Sequence, residues 1–135
     1  MLDGFKQFIQ RVQQRYNSHP GPRQTAYEIL HDADHLIVSW ISAQNDSGSK
    51  SFQWDDAILV TAFKRDLYAV DLICLVIELK DGETIEVDEE MNGWDSLVQK
   101  LPEYLPGCKS FGEWFEVVVF PAFELNATRI FERVG

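Results

Sequence analysis

Lys64-Arg65-Asp66, Asp71 and the acidic run Asp88-Glu89-Glu90 are the residues whose types and spacing could do chemistry. Carboxylates beside a cation can perform acid–base work or hold a polar ligand. A usable acid needs burial or a like-charged neighbour to raise its pKa. Glu89 continues the inward parity of Ile85 and Val87, so it is the expected perturbed group, with Lys64 or Arg65 as counter-ion. Its other reading is complementing the positive end of the next helix. A turn centred on Leu67-Tyr68 would set Lys64 directly across from Asp71. Opposite charges so placed stabilise a hairpin by roughly 0.2–1 kcal/mol. The plainer reading makes all of these strand-end ion pairs. The candidate binding residues are Lys64, Arg65, Asp66, Asp71, Asp88 and Glu89, with no catalytic residue assigned.

His31-Asp32-Ala33-Asp34-His35 offers imidazoles and carboxylates, the ligands zinc or iron would use. In a hairpin turn the two histidines sit at strand ends and need not converge, and Asp and Ala are ordinary there. No metal or cofactor is expected. The phosphate loop, nucleophile elbow, zinc-finger spacing and H-E-x-x-H motif are all missing. Neither Cys74 nor Cys108 has an evident activating neighbour.

Residues 54–90 must position these charges. They carry the longest apolar runs and the clearest hairpin turn, Lys80-Asp81-Gly82-Glu83. In 54–63 and 72–79 both alternating sets contain apolar residues, which predicts strands buried on both faces. Residues 84–89 alternate cleanly and read as a strand nearer the edge. Residues 25–30 and 36–43 read as strands, 44–51 as a polar loop, and 128–132 as a last strand.

Helices should cover the sheet. Phe5, Phe8, Ile9, Val12 and Tyr16 lie on one face of an N-terminal helix, which 17–23 terminates. Asn92 is placed to cap a second helix carrying Trp94, Leu97, Val98, Leu101 and Leu105, short or kinked at Pro102. Ser110-Phe111-Gly112-Glu113 is a capping-box pattern, so 114–119 is read as helix although Val117-Val118-Val119-Phe120 also suits a strand. The resulting fold is one α+β domain. It has an antiparallel sheet of about five strands, an N-terminal helix, and one or two short helices after the sheet. A pleckstrin-homology-like barrel is the alternative.

The chain has 135 residues and a net charge of −10. That length buries a core without staples. The charge argues against nucleic acid or an anionic membrane and is compatible with a basic protein partner. With two cysteines and no apolar leader or span, the chain reads as cytoplasmic with reduced thiols.

Ala62-Phe63-Lys64-Arg65-Asp66-Leu67, Val70-Asp71-Leu72-Ile73, Val87-Asp88-Glu89-Glu90-Met91-Asn92-Gly93-Trp94 and Pro121-Ala122-Phe123 resemble a pattern in small uncharacterised single-domain bacterial proteins. The resemblance implies no activity and carries over no site residue. It implies only that the charged pattern is more than decoration.

Three functions follow as expectations. One is a non-enzymatic interaction domain binding a basic partner, as toxin-neutralising immunity proteins do, by analogy of charge and size alone. Another is a small enzyme using Asp66, Asp71 and Glu89 around Lys64, which requires one shared pocket. The last is a small-molecule-binding module with an apolar cavity. A homodimer is left open, since a second copy could cover a sheet face.

Overall fold

The computed structural model describes residues 25–67, 70–120 and 126–134. The expected N-terminal helix lies outside the described residues. Within them the α+β class holds, but the single sheet is corrected to two. Strands β1 (Ala26–His31), β2 (His35–Ile41) and β3 (Ser47–Gln53) form an antiparallel three-stranded sheet in that order. Strands β4 (Ala57–Leu67), β5 (Val70–Leu79), β6 (Thr84–Asp88) and β7 (Thr128–Glu132) form a four-stranded one in the order β6-β5-β4-β7. The barrel alternative is not formed, because the described strands pair into two sheets with separate edges.

Strand β3 replaces the expected polar loop. Its sequence, SGSKSFQ, is a poor strand former, and most of it is exposed. It pairs along all of β2, from His35↔Gln53 to Ile41↔Ser47. The turn before it closes through Ser42 N–H to Asp46 O at 2.7 Å, with Asn45 at φ 65°. An edge strand can be polar because only one face packs. Gly48 is needed there: a Cβ would lie 2.5 Å from the Trp40 indole across the pair.

A short 3-10 turn, Trp54–Asp56, links the sheets, so the strand expected from residue 54 starts at Ala57. Both faces of β4 and β5 are buried, as the double parity predicts. Val60, Ala62, Leu75 and Ile77 are each 0 % exposed on one face, and Thr61, Phe63 and Cys74 are each 0 % exposed on the other. A bulge between Ala57 and Leu59 leaves Ile58 exposed instead. The Asp-Gly hairpin forms between β5 and β6, closed by Leu79 N–H to Glu83 O at 2.9 Å. Strand β6 is an edge.

Two helices follow, α1 (Trp94–Tyr104) and α2 (Phe111–Val119). Buried Trp94, Leu97, Val98 and Leu101 give α1 its inward face. The expected cap residue is corrected from Asn92 to Gly93, at φ 97°. Asn92 is engaged elsewhere: its carbonyl accepts Ile29 N–H at 2.7 Å and its N–H donates to Tyr27 O at 3.2 Å. Gly93 has no room for a side chain, since a Cβ would lie 2.4 Å from Ile29 O. Helix α1 continues past Pro102, which falls in the last turn, and Leu105 N–H still reaches Leu101 O at 2.8 Å. The capping box decides the second segment: Ser110 and Glu113 cap α2 reciprocally. One apolar cluster joins Ile29, Leu36 and Val38 of the first sheet to Leu75, Ile77 and Val87 of the second, and to Leu101 and Trp114 of the helices.

Candidate functional site

Lys64 and Arg65 are neighbours on a strand, so they leave on opposite faces. Each is 1 % exposed. Lys64 shares its face with Ile73, its cross-strand partner. Its Nζ donates to Val119 O at 2.6 Å, at the end of α2, and lies 3.4 Å from Asp71 Oδ2. The ion pair is therefore diagonal. The register corrects the expected direct pairing, because Asp66 is the residue opposite Asp71 and the turn is set one residue further on. The side chain of Asp66 lies outside the described part of the structure.

Arg65 points to the other face. Its Nε donates to Glu86 Oε1 at 3.0 Å, and a second guanidinium nitrogen contacts the same oxygen. The guanidinium carbon also lies 5.1 Å from the centre of the Phe63 ring. Cys74 pairs with Phe63 on one side and with Asp88 on the other, so it sits in the same charged, buried surface. Burial pushes its thiol far up, and the charge of Glu86 adds to the effect. Burial likewise pushes Cys108 up to about 12. Neither is an activated nucleophile at neutral pH.

Asp88 is 1 % exposed and accepts Glu90 N–H at 3.0 Å. Glu89 turns back on its own sheet, where Oε1 accepts Ile73 N–H at 3.1 Å. Burial of the carboxyl raises its pKa, the Ile73 hydrogen bond opposes this, and the charges of Asp88, Glu90 and Asp95 raise it further. The inward placement expected of Glu89 is corrected: Glu89 is an exposed residue, and Asp88, paired opposite Cys74, is the buried carboxylate. The expected counter-ion is corrected too. Lys64 is held by Asp71, and Arg65 by Glu86. The cluster thus divides into two ion pairs on opposite faces, with Glu89 among acids.

Glu86 is the partner that the sequence reading passed over. Its signal was parity: Arg65 and Glu86 both stand on the face opposite the apolar positions Ile85 and Val87. Beyond Glu86 lies an open cleft of about 310 Å³. Tyr27, Trp40 and Lys50 of the first sheet line it together with Thr84, Ile85 and Glu86 of β6.

The two histidines go separate ways. His31 ends β1 and contacts α1, with Nδ1 2.6 Å from Tyr104 Oη and Nε2 3.0 Å from Ser96 Oγ. Burial lowers its pKa and Lys100 assists, while Asp32 opposes them. Tyr104 in turn stacks on Trp54 at 5.1 Å. His35 instead meets Asp32 Oδ1 at 3.0 Å. Among the described residues, no three His, Cys, Asp or Glu side chains converge as a metal site.

Backbone contacts gather acids at the opposite end of the molecule. Trp54 N–H donates to Asp34 O at 3.0 Å, and Lys80 N–H to Asp56 O at 2.9 Å. The turn between β1 and β2, the 3-10 turn and the β5–β6 turn therefore adjoin. They expose Asp32, Asp34, Asp55, Asp56, Asp81 and Glu83. Lys80 is exposed beside them, and Arg133 is committed to the carbonyls of Ala57 and Trp54 at 2.8 and 3.0 Å.

No protein-family description, curated protein or solved structure matches this chain. No helix among the described residues is long and apolar enough to cross a membrane.

Proposed function

We propose that the protein is a non-enzymatic interaction domain that binds a basic protein partner through its acidic end. The observation carrying this reading is the convergence of three turns, which sets Asp34, Asp55, Asp56, Asp81 and Glu83 on one exposed rim. None of these five forms an ion pair among the described residues. Such a rim raises association rates with a cationic surface and screens away with salt. The enzyme reading has weaker support, because Lys64 and Glu89 have separate partners rather than a common pocket.

The test compares two triple variants of equal charge. Asp34→Lys, Asp55→Lys and Asp56→Lys alter the rim. Glu28→Lys, Glu103→Lys and Glu116→Lys alter exposed positions elsewhere. Binding to a basic protein probe should collapse in the first and persist in the second. Equal loss in both would reduce the effect to net charge and remove the rim as a docking face.

A further inference from the structure

We propose that the basic partner adds an extended segment to the first sheet, as a fourth strand beside β3. This rests on the acidic-rim reading and names how the partner is held. Strand β3 is 7 residues long, and all of it except Gly48 and Phe52 is exposed. Its ladder with β2 is fixed at both ends. Ser42 N–H donates to Asp46 O at 2.7 Å, and Trp54 N–H donates to Asp34 O at 3.0 Å. Bonded positions alternate along an antiparallel ladder, so Gly48, Lys50 and Phe52 turn their backbone groups to β2. The N–H and C=O groups of Ser47, Ser49 and Ser51 then point away from the sheet, and β3 has no further neighbour among the described strands. Such an open row is a template for another strand.

The other sheet edges are guarded. On β1, Ile29 N–H donates to Asn92 O at 2.7 Å and Tyr27 O accepts Asn92 N–H at 3.2 Å. On β7, Ile130 O accepts Lys109 N–H at 2.8 Å. Strand β6 is short and carries Glu86 and Asp88. Strand β3 has neither proline nor register shift, and its outer flank is serine.

The charges choose the occupant. Exposed Asp46 precedes β3, exposed Asp55 and Asp56 follow it, and Asp34 adjoins them through Trp54. A segment paired along all of β3 spans about 23 Å and brings its two ends to these acids. Lys50, at the midpoint, is the strand's single charge, and it lies on the face of its cross-strand partner Val38. In a symmetric pair of two copies Lys50 would stand opposite Lys50, and a net charge of −10 on each chain adds to the repulsion. The favoured occupant is therefore an extended segment with basic ends and an uncharged centre, rather than a second copy. Main-chain hydrogen bonds would hold it and the rim would select its charge.

Amide hydrogen exchange on the unmodified chain reads this edge directly. The probe is the peptide Lys-Lys-Val-Thr-Val-Thr-Val-Lys-Lys. Its control is the same peptide N-methylated at every Val and Thr, which keeps the charge and removes the central donors. The probe should bind saturably and slow exchange at Ser47, Ser49 and Ser51 by about tenfold or more. The methylated peptide should bind at least about tenfold more weakly. Ser49→Pro should weaken the probe by about tenfold with the urea midpoint kept, because an edge strand tolerates proline where the N–H faces solvent. Equal binding of the two peptides, or slowed exchange at the rim alone, would overturn strand addition and leave the rim as the docking face. Failure of the probe to bind a chain that still captures a basic protein would do the same. Capture of neither would remove the rim reading, and this proposal with it. Dimerisation of the free chain that Ser49→Pro abolishes would assign the edge to a second copy and overturn the proposal.

Discussion

Lys64 and Arg65 are consecutive residues, both 1 % exposed, and they serve opposite faces of one sheet. Lys64 joins β4 to Asp71 of β5 and to the last carbonyl of α2, at Val119. Arg65 joins β4 to Glu86 of β6, two strands away. Two buried cations are expensive to desolvate, and both are compensated by hydrogen-bonded partners.

Truncating either cation should therefore destabilise the fold. Lys64→Met leaves Val119 O and Asp71 without this donor. Arg65→Met leaves Glu86 without its guanidinium. A buried charge stripped of its partner costs about 3–5 kcal/mol, but Asp71 and Glu86 are 18 % and 27 % exposed and water relieves part of that. A loss of about 2 kcal/mol is expected for each, read from the urea midpoint. A loss below about 0.5 kcal/mol would show that the pair is dispensable.

The two pairs should also be energetically independent. Asp71→Asn and Glu86→Gln touch different cations on different faces. Their effects should add within about 0.5 kcal/mol in a double-mutant cycle. A larger coupling would mean that the charges form one network after all.

Gly93 should be intolerant of substitution. Its φ is 97°, and a Cβ would approach Ile29 O to 2.4 Å. Gly93→Ala combines backbone strain with a clash against a carbonyl that cannot move freely. A loss of about 2 kcal/mol or more is expected on denaturation. Gly107 is the control: its φ is 93°, but nothing lies within 4 Å of its Cβ position. Gly107→Ala should cost distinctly less.

His31 should make stability depend on pH. Burial lowers its folded pKa below the ordinary 6.5. Above 6.5 the imidazole is neutral in both states and contributes no slope. As pH falls through 6.5 the unfolded chain takes up the proton first, so stability drops until the folded pKa is passed. His31→Gln removes that proton uptake along with the contacts to Tyr104 and Ser96. The variant should be less stable by about 1 kcal/mol at about pH 7.5, and the gap should narrow by about pH 5. A gap that stays constant or widens would contradict the assigned shift.

Much of this fold was legible because its signals were local. The double parity of β4 and β5, the Asp-Gly turn, the α1 stripe and the Ser110–Glu113 capping box each lie within a few residues. Strand β3 was not legible, because β2 imposes extended structure on a Ser-rich segment. The Asn92 cap failed for the same kind of reason: a nonlocal bond to β1 took its backbone. The site was legible in composition but not in connectivity. Parity excludes Lys64 and Arg65 from a common pocket and puts Glu86 rather than Glu89 on the side of Arg65, yet it does not say which position along that face the guanidinium reaches. That position depends on the hairpin register, and the sequence after Leu67 carries no Gly or Asn signal to set it.

If the acidic rim is the docking face, binding of a basic protein must depend on salt and on the rim carboxylates. Capture of a basic protein probe should be measured for the wild type and for both triple-lysine variants, from about 50 to about 300 mM salt. The wild type should bind strongly at low salt and lose binding steeply as salt rises; the Glu28/Glu103/Glu116 variant should retain binding, and the Asp34/Asp55/Asp56 variant should show none. Binding that survives the rim substitutions, or that ignores salt, would contradict it.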